Sequence, residues 1–284
     1  MIIVDLNQIS ISNLMAQIGN HTNAKIEESL VRHMVLNTLR SIKTKFQEYG
    51  EMIIACDAKH CWRRDAFPYY KANRKKSREQ SELDWPMIFD TLNKIKEELR
   101  EFFPYRVIQV DGAEADDVIG TLVLMNGKML SINKEILIVS GDKDFAQLQR
   151  FSNVAQYDPV KKKFVACTNP DTFLKEHILK GDRGDGIPNI LSPDSCFVRG
   201  DRQKPMTAKK LDQYINMPLA EMDEALVRNY KRNEQLIDLL NTPEEIRQKI
   251  LEQYQQQNQK GREKLFNYFI SYKLKNLMEH VGEF

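Results

Sequence analysis

Apolar positions along the chain fall into two alternating rhythms. Short unbroken apolar runs predict buried strands: MIIVDLN at the start, ending in Asp5; EMIIACD, 51–57, ending in Asp57; YRVIQV, 105–110; and EILIVS, 135–140. Between them helical spacing takes over. From Lys25 to Tyr49 the residues Ile26, Leu30, Met34, Val35, Ile42 and Phe46 share one face, and Gly50 closes the helix. Asp84 and Pro86 start another helix that runs to about Phe103, and GDKDFAQL, 141–148, leads from the fourth strand into a helix. VAQYD and KFVAC read as two short β pieces around a turn near Pro159, after which Asn169 and Pro170 cap a helix ending at Gly181.

Strands alternating with helices predict an α/β fold, a largely parallel central sheet with helices on both faces. Beyond residue 180 the strand rhythm stops. Helices separated by polar loops (KGDRGDGIP, RGDRQKP, QYQQQNQKG) predict a smaller helical domain over 181–284, joined to an α/β domain over 1–180. The run KLFNYFISYKLKNLMEH, 264–280, carries Leu265, Tyr268, Phe269, Tyr272 and Leu277 at helical spacing, as core packing or a partner-docking helix would.

Composition narrows the class. The 284 residues, 42% hydrophobic and 29% charged, can bury a substantial core. No apolar run approaches the roughly 20 residues that span a bilayer, and MIIV lacks a basic leader, so a cytoplasmic location without membrane association is expected. Four scattered cysteines (Cys56, Cys61, Cys167, Cys196) and five histidines without HExxH or paired-cysteine spacing argue against a zinc site. No GxxxxGK[ST], strand-linked GxGxxG or GxSxG is present.

The acids are where the chemistry shows. In open α/β sheets ligands bind beyond the carboxyl ends of the strands. Asp5 and Asp57 end the first two strands, Glu114, Asp116 and Asp117 follow the third, and Asp142 and Asp144 follow the fourth. Asp182 and Asp185 add a pair at the junction with the helical part. A helix start explains one or two acids in GAEADDVIG. It does not explain the convergence, because so many carboxylates need counter-charge, and hard oxygen-seeking cations such as Mg²⁺ or Mn²⁺ supply it. Two such ions flanked by carboxylates form the site that drives in-line attack on phosphodiesters.

The net charge of +2 conceals a basic segment, KHCWRRDAFPYYKANRKKSR, 59–78. Its eight cations (Lys59, Arg63, Arg64, Lys71, Arg74, Lys75, Lys76, Arg78) face one acid, Asp65, and Trp62, Phe67, Tyr69 and Tyr70 are interleaved. Cations neutralise phosphates and aromatic faces stack unpaired bases, so the pattern suits a nucleic-acid strand beside a metal site. GDRGDGIPN, 181–189, can hold a phosphate on its backbone amides. Arg202, Lys204, Lys209 and Lys210 in GDRQKPMTAKK suit contacts to a duplex backbone.

Five stretches in order, VDLNQIS, CDAKHCWRRDAFPYYKANRKKSRE, EADDVI, SGDKDFAQL and ILKGDRGDGIP, resemble the 5′-nuclease (flap endonuclease) superfamily, and within it the ribonuclease H type of T-even bacteriophages. The likeness is weaker in the C-terminal helices. It implies a PIN-like nuclease core with a basic arch or clamp at about 58–83. Asp5, Asp57, Glu114, Asp116, Asp117, Asp142, Asp144, Asp182 and Asp185 would be the acidic metal-site residues. Those on the central strands would serve the first of two Mg²⁺ ions, with Mn²⁺ as a substitute, and Asp144, Asp182 and Asp185 the second. Lys71 and Arg63 would approach the scissile phosphate, with Tyr70 a stacking residue and Arg64, Arg74, Lys75 and Lys76 in the basic arch.

The implied activity is Mg²⁺-dependent 5′→3′ exonuclease action on RNA–DNA hybrid and duplex DNA, with flap endonuclease activity, removing RNA primers from lagging-strand fragments. It implies a monomer in the cytoplasm of a phage-infected bacterium, acting on forked or flap substrates, with a single-stranded-DNA-binding protein and sliding clamp as candidate partners. Relatives follow GDxxDNIPG with GIGxKTA, and this chain does not, which implies a modified, longer helix–three-turn–helix. Two readings stand as alternatives: a Toprim-like nuclease or primase, and a catalytically inactive module that binds branched DNA.

Overall fold

The computed structural model describes residues 1–18, 26–81, 83–129, 134–257 and 260–284, with the backbone alone for 75–77 and 127–129. The α/β part runs β1 (Ile2–Asp5), α1 (Leu6–Ile18), α2 (Glu28–Lys45), β2 (Met52–Ala55), α3 (Trp62–Ala66), α4 (Ala72–Glu79), α5 (Trp85–Phe102), β3 (Arg106–Ile108), α6 (Ala115–Met129), β4 (Ile136–Val139), β5 (Val154–Asp158) and β6 (Lys163–Val165). Helices follow: α7 (Pro170–Lys180), α8 (Cys196–Arg199), α9 (Ala208–Asn216), α10 (Glu224–Ile237), α11 (Glu244–Gln256), α12 (Leu265–Ser271) and α13 (Lys275–Met278).

The six strands form one sheet in the order β3-β2-β1-β4-β5-β6, parallel except for β6 at the edge. Strand period decides the layers. Ile2, Val4, Ile54, Val107 and Val139 face one core, covered by α1, α2 and α5. Their neighbours Ile3, Ile53, Ile108 and Ile138 face the other, covered by α6 and α11. Both faces are buried, which is why the strand sequences read as continuous apolar runs.

The chain leaves β1 to build outward through β2 and β3, then returns to place β4 on the other side of β1. That reversal opens a crevice at the carboxyl ends of β1 and β4, where Asp5 and the loop 140–144 lie.

The structure adds to the sequence reading in several places. Helix α1 follows β1 directly; its apolar residues do not keep to one narrow stripe, so periodicity gave no signal. The expected helix start at Lys25 lies outside the described residues, and that helix ends in a 3-10 turn at Gln47–Tyr49 before Gly50, at φ 82. The segment after β4 is a 3-10 helix, Lys143–Arg150, rather than an α-helix, with Asp142 capping the amide of Asp144. The basic stretch holds two short helices, α3 and α4.

Residues after 238 do not make a core of their own. Leu239, Ile246, Ile250 and Tyr254 join the α6 side of the sheet, and Leu265, Tyr268, Phe269, Leu277 and Phe284 close the α5 side. A third core joins α7 and α10 to Phe67 and Tyr70 of the basic segment.

Candidate active site

Asp5 ends β1 and is 5% exposed. It accepts a hydrogen bond from the Gln8 amide at 3.1 Å and one from Ser140 Oγ at 3.3 Å. Asp57, just past β2, accepts from Asn7 Nδ2 and from the Ala115 amide, each at 2.8 Å. The second bond uses one of the unpaired N–H groups that open α6, so it ties the end of one strand to the start of that helix. Asp116 sits half-buried in the same first turn.

These acids press on one another. Burial, reinforced by Asp57 and Asp142, pushes the Asp5 carboxyl up to about 8. Asp116 is also raised, because burial together with Asp142, Asp5 and Glu114 outweighs the pull of Lys71. Asp144 is pushed up to about 7 by burial and by Asp142, with His177 pulling the other way. Carboxyl groups whose charge is disfavoured by burial and by one another mark a site short of positive charge, and a divalent cation fits that deficit.

A second group lies where α7 meets the 182–186 loop. Asp182 takes Lys143 Nζ at 2.6 Å and His177 Nε2 at 2.9 Å. Burial opposes its charge, but His177 and Lys143 hold it well below the usual carboxylate range. Asp144, His177 and Asp182 bring possible ligand atoms within 4.8 Å of one another. Asp144 Oδ1 and His177 Nδ1, 3.6 Å apart, are buried and have no hydrogen-bond partner. Two unpaired buried electron donors facing each other fit a cation better than they fit an empty gap.

His177 was invisible in the sequence because its one metal-like neighbour, Asp182, is five residues away and Asp144 comes from another element. Asn7, Gln8, Ser140 and Lys143, which brace the acids, lie inside the stretches VDLNQIS and SGDKDFAQL, but their residue types do not mark that role.

Glu114 behaves differently from the acids around it. Burial disfavours its charge, yet Lys71 and Arg63 outweigh burial and hold it at about 2. Lys71 Nζ lies 2.6 Å from its Oε1, and the Tyr70 hydroxyl lies 2.8 Å from Oε2 and 3.0 Å from Asp185 Oδ2. Asp185 also meets Arg74 Nη2 at 2.5 Å.

Lys71 stands at φ 55, a left-handed conformation a lysine adopts only at a cost of about 1–2 kcal/mol. Its amide donates to the Asp185 carbonyl at 2.7 Å, which fastens the basic segment to the 182–186 loop. Gly186, at φ 73, makes that approach feasible: an added Cβ would lie 2.9 Å from the Tyr69 carbonyl oxygen.

Three expectations need correction. Asp117 is fully buried and both its oxygens are occupied. Oδ1 accepts from Trp62 Nε1 at 3.1 Å and Thr242 Oγ1 at 2.8 Å, while Oδ2 accepts from Arg63 Nη1 at 2.9 Å and the Glu114 amide at 2.8 Å. It organises the start of α6 and has no oxygen left for a metal. Arg63, 1% exposed, gives Nη1 to Asp117 and Glu114 and Nε to the Leu236 carbonyl, and its unpaired Nη2 is buried, so it presents nothing to a phosphate. Tyr70 is 3% exposed with its hydroxyl shared between two carboxylates, and no ring face is free to stack a base.

Arg64 and Arg74 are exposed beside the acids; the side chains of Lys75 and Lys76 lie outside those described. Arg202, Lys204, Lys209 and Lys210 are exposed at the start of α9, well separated in sequence from the acids. Their strip is pinned to the 181–189 loop, because Asn189 Nδ2 donates to the Lys204 carbonyl at 2.8 Å.

Known families match the chain along its whole length. Residues 1–177 match the family described as the 5′-3′ exonuclease, N-terminal resolvase-like domain, and 169–284 match the C-terminal domain of T4 RNase H. Ribonuclease H of Enterobacteria phage T4 is 32% identical over 295 aligned positions, covering 99% of this chain and 95% of that protein. The chain belongs to the 5′–3′ exonuclease family.

This nuclease is also similar to the flap endonuclease Xni of a Shewanella strain, 30% identical over 48% of this chain and 51% of that one. Its fold matches a bacteriophage T5 flap endonuclease solved as a pseudo-enzyme–product complex with DNA and metal ions: TM-score 0.62, 19% identity, 90% of this chain and 99% of the other. The acids gathered here give the nuclease a donor set for divalent metal ions. No helix among the described residues is long and apolar enough to cross a membrane.

Proposed function

We propose that this nuclease hydrolyses phosphodiesters at 5′ ends and flap junctions, acting 5′→3′ on RNA–DNA hybrid and duplex DNA with two Mg²⁺ ions, for which Mn²⁺ can substitute. The observation that carries the reading is the crowd of acids at the strand ends, three of them raised above the usual carboxylate range by burial and by one another. Asp5, Asp57, Asp116 and Asp142 would hold one ion, with Glu114 beside them. Asp144, Asp182 and Asp185, joined by His177, would hold the other. Such ions, when bound, activate water and stabilise charge on the phosphate.

The chain's own part is positional and electrostatic. Lys71 rests on Glu114 and lies 3.7 Å from Asp185, so its ammonium waits at the rim of the acidic cluster. An arriving phosphate can share it without desolvating a new cation. Lys71→Ala is therefore expected to slow single-turnover cleavage by about 10²–10³-fold, and to destabilise the fold less than Arg63→Ala because Glu114 keeps Arg63 and Tyr70 as partners. Lys71→Arg should recover part of the loss. Equal rates for wild type and Lys71→Ala would remove Lys71 from the mechanism.

Arg64 and Arg74 would steer the single strand, and Arg202, Lys204, Lys209 and Lys210 the duplex. We assign the biological role to removal of RNA primers from lagging-strand fragments by a monomer in the cytoplasm of a phage-infected bacterium. Half-exposed Phe266 and Ile270, beside buried Leu265 and Phe269, give α12 an outer face for a single-stranded-DNA-binding protein or sliding clamp.

The test is cleavage of end-labelled flap, nicked and RNA–DNA substrates with Mg²⁺ and with chelator. Products bearing 5′-phosphate and 3′-hydroxyl ends should appear only with the metal. Absence of any metal-dependent 5′ product would overturn the proposal.

A further inference from the structure

The last turn of α7 delivers His177 into the second acidic group, and the bonds around its ring settle which nitrogen faces the acids. The residue is 7% exposed, and its ring meets that of Phe173 edge to face, with centroids 5.8 Å apart. Its Nε2 lies 2.9 Å from Asp182 Oδ2, which also takes Lys143 Nζ at 2.6 Å. An ionised carboxylate can only accept. In the neutral ring Nε2 therefore carries the proton, and Nδ1 keeps a lone pair.

Nδ1 faces Asp144 Oδ1 across 3.6 Å. That is too far for a hydrogen bond, and neither atom has another partner although both are buried. Two ligands on one cation, each about 2.1 Å from it, stand roughly 3.0–3.6 Å apart, so the pair has the spacing of neighbouring metal ligands. A histidine that ligates a metal commonly gives its other N–H to a carboxylate, which fixes the tautomer and the orientation of the ring. Asp182 holds His177 in that way. The donor it presents is a nitrogen, at a position where the family likeness implies carboxylates alone.

We infer that the second cation position is a mixed nitrogen–oxygen site, with His177 Nδ1 and Asp144 Oδ1 as ligands, that takes a first-row transition cation ahead of Mg²⁺. The inference rests on the two-cation reading and gives the two positions different preferences. Asp5, Asp57, Asp116 and Asp142 offer oxygen, which suits the hard Mg²⁺ ion. Imidazole nitrogen favours the transition ions instead, with affinity rising from Mn²⁺ to Co²⁺. The chain is thus built for two unlike cations, one in each acidic group.

Mn²⁺ is the probe, because its unpaired electrons register a nitrogen bound to it. One equivalent is added to the metal-free protein in millimolar Mg²⁺, which fills the all-oxygen position, and pulsed electron paramagnetic resonance is recorded. The spectrum should show coupling to a histidine nitrogen, and the coupling should change to the ¹⁵N pattern when histidine alone carries that isotope. His177→Asp, which makes the position all oxygen, should lose the coupling. It should also cut the preference for Co²⁺ over Mg²⁺, measured by calorimetric competition, by about 10–100-fold. Where the added charge unfolds the chain, His177→Gln takes its place.

Mn²⁺ bound without nitrogen coupling, or coupling that persists once His177 is replaced, would overturn the inference even if the enzyme cleaves in Mg²⁺. If no substrate is cut with any metal, the nuclease reading fails, and the spectrum still decides the ligand.

Discussion

Asp5→Asn is expected to slow cleavage by about a thousandfold or more and, in the same molecule, to make the metal-free protein harder to unfold at pH 8. The activity loss follows from taking away a buried carboxylate at the end of β1, where the cation site is proposed. The stability gain follows from the sign of its shift. Asp5 titrates at about 8 when folded, against 3.8 for the free side chain, because burial, Asp57 and Asp142 all disfavour its charge. Between those values the folded chain keeps a proton that the unfolded chain has lost, so stability falls as pH rises from about 4 to about 8.

Asp144, raised to about 7, adds to the same slope. Glu114, held at about 2, has the opposite sense, but its contribution is complete above its unfolded value of 4.5 and disappears only as pH falls toward 2. It cannot flatten the curve between pH 5 and 8. In chelator the wild type should lose on the order of 3 kcal/mol across that window in urea unfolding, and Asp5→Asn should lose much less. Asp142→Asn should abolish cleavage likewise while leaving DNA binding largely intact. A wild-type cleavage rate for either variant in Mg²⁺ would remove these acids from the site.

Arg63→Ala is expected to cost about 3–5 kcal/mol of stability, the cost of leaving a buried carboxylate without its partner. Asp117 is completely buried and has Arg63 Nη1 at 2.9 Å. The same guanidinium donates to the Leu236 carbonyl at 2.9 Å, so its loss also frees the end of α10 from α3. Asp117 in turn holds Trp62 and Thr242, linking the basic segment, α6 and the approach to α11.

Arg63→Ala should therefore lower the unfolding midpoint, and its residual activity should track the folded fraction as temperature is reduced. Lys71→Ala should lose the chemistry at temperatures where it is still folded, because Glu114 keeps Arg63 and Tyr70 as partners. Wild-type stability for Arg63→Ala would show that Asp117 does not depend on it.

The contrast between these two cations marks how far the sequence could be read. Strand runs with both faces buried are continuous and apolar, so the parallel sheet and the acids at its carboxyl edge were legible from composition and order. What one letter cannot carry is which way a side chain turns. Asp116 and Asp117 are adjacent and identical, yet one opens toward Asp5 and Asp142 while the other is consumed by four donors.

Arg63 and Arg64 divide in the same way, one buried and one exposed. His177 joins Asp144 and Asp182 only through tertiary contact. The C-terminal helices read as a separate unit because their apolar faces fit any core; α11, α12 and α13 enter the cores of the sheet, while α10 packs with α7 and the basic segment.

The claim at the centre of this account is that the acids are crowded enough to hold protons near neutrality and that a divalent cation displaces them. Calorimetric titration of Mg²⁺ into the metal-free protein at pH 7, repeated in buffers of different ionisation enthalpy, measures both cation binding and the protons it releases. Wild type should bind the ion with net proton release, and Asp5→Asn should bind it more weakly and release fewer protons. Binding without proton release, or identical titrations for the two proteins, would contradict the account.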